Sequence, residues 1–166
     1  MKGIGNTIIV FGFLGVAMLT ASMASAQSAN QQQPEAEKAV VGATFKRFTH
    51  CAAFYMTSID VLRENMNGSN NRRTQEMIDG YSEGATVMIA TATLGTTIDY
   101  SEEDAATAVV DLITSTVSTM KEELWNGKTE IDQEFLDRYT DFVNTHKDTC
   151  QVRLNQAQTA LLSLAK

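Results

Sequence analysis

Proline is almost absent from this chain: its 166 residues include one, Pro34. Little glycine falls inside the periodic segments either, so long helices run without interruption and the composition points to an all-helical fold. Cysteine is nearly as scarce. The two, Cys51 and Cys150, lie too far apart in sequence for a CxxC redox pair. With only His50 and His146 beside them, they are too few for a structural zinc site. Positive charge is in deficit, with 13 lysines and arginines against 20 aspartates and glutamates. The formal charge of −7 becomes −8 once Lys2 is set aside with the leader described below. A chain this acidic repels phosphate backbones, which argues against nucleic acid and favours basic proteins or cations as partners. After residue 26 no stretch is apolar enough to span a bilayer, so the mature chain is expected to be soluble, with no stable membrane insertion. No catalytic motif is present, and no pair of acid–base groups converges on a credible cleft. The expectation is therefore a protein that is not an enzyme and carries no cofactor.

What is present begins with an export signal. Met1-Lys2 gives a short positive start, 8–19 an apolar run, and Ala24-Ser25-Ala26 the small residues that signal peptidase reads. Cleavage is predicted after Ala26, which places the mature protein in the periplasm or outside the cell. Residues 27–33 are polar and aperiodic and read as a disordered lead-in. Residues 34–166 form the expected single domain, long enough to bury a core.

Four helices are predicted. The first covers 34–66, with Val41, Phe45, Phe48, Ala52, Tyr55, Ile59, Leu62 and Met66 in alternating steps of four and three, the seam of a near-parallel bundle. Asn67-Gly68 closes it. The second covers 72–94, with Ile78, Tyr81, Ala85, Met88 and Ala92 on its seam. Gly80 and Gly84 weaken it unless a neighbour packs closely there. After a connector at 95–100, Ser101 caps a third helix with Asp104 in the capping-box position, and Val110, Ile113, Val117, Met120 and Leu124 form its seam up to Gly127. Thr129 is expected to cap the fourth, which runs from Glu130 almost to the end. Its seam is Leu136, Tyr139, Val143, His146, Cys150, Leu154, Ala157, Leu161 and Leu164, supported by Phe135 and Phe142.

Short connections favour antiparallel neighbours, hence an all-α, up-down-up-down four-helix bundle in which helices 1 and 4 are adjacent and longer than the other two. Cys51 then lies about 16 residues from the start of helix 1 and Cys150 about 14 from the end of helix 4, heights of roughly 24 and 21 Å. The match predicts a Cys51–Cys150 disulfide, which oxidising export compartments permit. The longer helices overhang the connector, so Val40, Val41, Leu161 and Leu162 gather there with Ile98 and Tyr100.

Three candidate sites follow. Asp99, Tyr100, Glu102 and Glu103 place an aromatic among carboxylates, a pattern suited to a basic protein partner. Capping and the helix dipole account for the acids of the first turn without accounting for Asp99 or Tyr100. His146 faces the core near Tyr55 and Met56. A His146–Met56 pair resembles the axial ligands of b-type bundle cytochromes, giving a cofactor-binding (haem or metal) bundle as the alternative. A buried neutral His146 bonded to Tyr55 or a threonine is the simpler account. His50 beside Cys51 offers no nucleophile once Cys51 is oxidised. Lys46-Arg47 and Arg72-Arg73 read as solvated basic pairs. The leading expectation is a monomeric exported bundle that binds another protein, with the general build of periplasmic inhibitor or immunity proteins and stress chaperones.

Overall fold

A computed structural model describes residues 39–65 and 71–164. The expected signal at 1–26, the lead-in at 27–33 and the turn at 67–70 lie outside these residues. The described residues are all-helical, without strands: α1 Ala43–Asn65, α2 Arg72–Thr96, α3 Glu102–Trp125 and α4 Gln133–Leu164.

The core is built around α1. Twelve of its 23 residues are buried, against three of 32 in α4. Residues 51–55 are buried consecutively, so every face of the helix is covered at that level. α2 covers one side, with Ile78 against Ile59 and Leu62 and Tyr81 stacked 5.5 Å from Tyr55. α3 covers another: the Thr57 hydroxyl approaches the Met120 sulfur at 4.0 Å, and Lys121 pairs with Asp60 at 2.9 Å. α4 closes the rest through the Cys51–Cys150 disulfide, Phe142 at 5.4 Å from Phe54, and Phe135 packed with Val61 and Leu124. Burying side chains such as Phe54 and Phe135 stabilises the fold by roughly 1.5–3 kcal/mol each.

Local chemistry sets the boundaries. Asn71 caps α2, its side chain accepting from the Arg73 N–H at 3.0 Å. In the β-branched run late in α2, Thr86, Thr91 and Thr96 each satisfy their hydroxyls within the helix by donating to the carbonyl four residues earlier, at 2.9 Å. Ser101 caps α3, accepting from the Asp104 N–H at 3.2 Å and donating to its carboxylate at 2.6 Å. α3 ends with Asn126 in the left-handed region (φ 45°), followed by Gly127 at φ 76°.

Several expectations need correction. α1 starts at Ala43 rather than 34, the part over 34–38 lying outside the described residues. The Gly42 carbonyl accepts from the Phe45 and Lys46 N–H groups and opens the helix there. Residues 39–42 are non-helical, yet Val41 is buried. The chain leaves the helical path and buries Val41 in the main core, beside Ala108 and Leu112 of α3. α1 is thus shorter than α2, and α4 alone is long. The matched heights used for the disulfide rested on the wrong start: Cys51 lies eight residues into α1, about 12 Å along it. The bridge forms all the same, with the two Cα atoms 5.3 Å apart. α4 itself starts at Gln133. Its cap is Asp132, whose carboxylate accepts from the Phe135 N–H at 2.8 Å, rather than Thr129. On α3, Val110 points to solvent and Val109 takes its place in the core.

Candidate binding sites

Two places in this fold gather groups that could bind something. The first is the disulfide edge. Cys51 and Cys150 have Cα atoms 5.3 Å apart. One residue before Cys51, His50 brings its Nε2 to 3.4 Å from Nδ1 of His146, which lies one turn before Cys150. At that distance one imidazole donates and the other accepts, according to tautomer. His146 also meets the rings of Phe54 at 5.6 Å and Phe142 at 4.9 Å. Burial lowers the pKa of both histidines. His50 lowers that of His146 further, against a smaller raising effect from Glu123. Both imidazoles are therefore held towards the neutral form.

The partner of His146 is thus His50, not Tyr55 or a threonine hydroxyl. Met56 is exposed and sits about 200° around α1 from Phe54, the residue that meets His146. Among the described residues, no group of three or more His, Cys, Asp or Glu is placed to hold a metal ion.

Beside the histidines, Lys46, Arg47, His50, Cys51, Thr149 and Arg153 border a cleft of about 340 Å³. On α1 these occupy i, i+1, i+4 and i+5; on α4, with Cys150, they occupy i, i+1 and i+4. Each set makes one helix face, so the disulfide brings the two faces together. Arg153 was not singled out by the sequence reading, although its position three residues after Cys150 carried the signal.

The second place is the end where α2 passes into α3. Asp99, Glu102 and Glu103 are exposed there and Tyr100 is half-buried. Ile98 is 76 % exposed, so its side chain does not cover the end of the molecule. Beside it Phe45, Leu94, Gly95, Ile98, Leu161 and Leu164 border an apolar cleft of about 380 Å³. Of the four residues expected to stand bare at this end, Val40 and Leu162 are exposed, Leu161 is half-buried in the cleft and Val41 is buried elsewhere. Phe45, Leu94 and Gly95 were missed as members of this surface. The ring of Phe45 rests against Gly95, where a β-carbon would collide with it. That contact is legible only once α1 and α2 are paired.

Among the described residues, no helix is long and apolar enough to cross a membrane. No family model, curated protein or solved structure matches this chain.

Proposed function

We propose that this is an exported protein of the periplasm or extracellular space that binds another protein and has no catalytic activity of its own. In this reading the signal at 1–26 is removed, and the four helices form a monomeric, antiparallel up-down-up-down bundle pinned by the disulfide. The pairing of Cys51 with Cys150, Phe54 with Phe142 and Val61 with Phe135 supports opposite directions for α1 and α4. The observation that carries the functional reading is the connector end. Ile98 and Leu94 stand exposed over an apolar cleft, and Asp99, Glu102 and Glu103 stand next to it. An apolar anchor beside carboxylates suits a partner that offers an apolar side chain within a basic rim. Exposure of so much apolar surface at one end of a helical scaffold is more costly than a scatter of single residues, and a partner would relieve it.

The test is a pull-down of the exported protein from its native host, wild type beside Tyr100→Ala/Glu103→Lys. Neither residue is buried or caps a helix, so the fold should persist. The double change should abolish a specific association, and high salt should mimic the loss. Association that survives both treatments would remove this end as the docking site.

A further inference from the structure

The cleft beside the disulfide differs in character from the rest of this acidic chain. Lys46, Arg47, His50, Thr149 and Arg153 surround it, and no carboxylate borders it. Four cations elsewhere on the surface are matched: Lys121 with Asp60, Arg72 with Glu76, Lys128 with Asp132 and Glu134, and Arg138 with Glu134. None of Lys46, Arg47 or Arg153 has an ion-pair partner among the described residues. Arg153 spends one N–H on the Gln156 side-chain oxygen at 2.7 Å and retains the rest of its fork.

The placement of Lys46 and Arg47 also runs against the local rule for a helix. They are the fourth and fifth residues of α1, whose first turn holds no acidic residue, whereas α3 opens with Glu102, Glu103 and Asp104. Cations near a helix N-terminus oppose the helix dipole, and an anion bound there would reverse that cost. The disulfide holds the two contributing helix faces at fixed separation.

We propose that this cleft is a binding site for an oxyanion, with the chemistry of a phosphate or phosphomonoester group. Arg153 borders the cleft from α4 and Arg47 from α1, and guanidinium forks match the tetrahedral oxygens of phosphate. Lys46 adds a point charge, and the Thr149 hydroxyl and His50 add donors at the rim. The site shares no bordering residue with the cleft at the connector end, and its argument does not rest on the protein-binding reading.

The experiment is an NMR titration of the isotope-labelled, disulfide-bonded protein with inorganic phosphate, sodium chloride holding ionic strength constant. Saturable shifts confined to the residues around the cleft are expected. Arg47→Gln and Arg153→Gln, both on the surface, should each weaken binding about tenfold while leaving the helical spectrum unchanged. A second arm separates a free phosphate group from a lipid headgroup. Flotation with vesicles containing phosphatidic acid, whose headgroup is a phosphomonoester, but not with phosphatidylcholine vesicles, lost in Arg153→Gln, assigns the headgroup. Saturable phosphate binding without flotation assigns the free anion. Shifts that never saturate, that spread evenly over all cationic residues, or that persist unchanged in both variants overturn the site.

Discussion

His50 and His146, 96 residues apart in sequence, meet at 3.4 Å beside the bridge between Cys51 and Cys150. The two contacts fasten the same place on α1 to the same place on α4, one covalently and one through a pair of imidazoles. Any change of compartment or pH that acts on this junction acts on the whole fold, because α1 is the helix around which the others pack.

The bridge should be measurable as stability. It closes a sequence separation of 99 residues. In the chain-entropy account such a loop contributes about 4–5 kcal/mol. Peptide mapping should recover Cys51 linked to Cys150 without free thiol, and Cys150→Ser should lower the denaturation midpoint by a matching amount while leaving helical circular dichroism intact at low temperature. Equal midpoints for the reduced and oxidised protein would contradict this.

The histidines should make stability depend on pH. Their folded pKa values lie below the ordinary imidazole value of 6.5, so the unfolded chain takes up protons first. The fold has its full stability above pH 6.5. It should lose stability as the pH falls from there towards the lowered folded values, below which the loss levels off. Denaturation followed from pH 8 to pH 5 should show that decline, and His146→Gln should flatten part of it. A decline of the same size in the variant would place its origin elsewhere.

The glycines of α2 separate two effects that the sequence shows as one. A β-carbon at Gly80 would meet nothing within 4 Å, so Gly80→Ala should stabilise by about 0.5–1 kcal/mol through helix propensity. A β-carbon at Gly95 would strike the ring of Phe45, so Gly95→Ala should destabilise despite the same gain in propensity. Thermal melts of the two variants should move in opposite directions.

The seam of α2 was legible because Ile78, Tyr81, Ala85, Met88 and Ala92 are all buried or half-buried where the spacing put them. The spacing also put Val110 inward, but Val109 is inside and Val110 is 55 % exposed. The true stripe of α3 runs through Ala105, Ala108, Val109 and Ile113. Alanines carry that stripe, and their small side chains register weakly against a neighbouring valine. Val41 shows the complementary limit: its period was right and its helix was wrong, because burial decides the period and the backbone can satisfy it without a helix. Aspartate and threonine are both good caps, so the start of α4 was ambiguous until the Phe135 N–H chose Asp132. Of the sites, the connector carboxylates could be read directly. In the basic cleft Lys46 and Arg47 were legible as a pair, whereas Arg153, on a helix a hundred residues away, could be placed beside them only through the Cys51–Cys150 bridge.

That ambiguity at α4 yields a direct comparison. Lys128 bridges Asp132 and Glu134 at 2.6 Å each, and these contacts hold both carboxylates below their ordinary pKa values. Asp132→Ala removes the cap and one arm of the bridge and should lower the melting temperature measurably. Thr129→Ala should not. Both carboxylates carry lowered folded values, so their contribution is present above the ordinary carboxylate range and is lost as the pH falls from there towards the lowered values.

The connector end is proposed to dock a partner protein, and a photo-crosslinking amino acid placed at position 98 tests that proposal most directly. A second copy of the experiment carries the same group at Gln158, an exposed position on α4, as control. On irradiation in the native host, position 98 should give a discrete covalent adduct that Glu103→Lys removes, and position 158 should not give that adduct. Adducts of equal yield at the two positions, or an adduct at 98 indifferent to Glu103→Lys, would contradict the account.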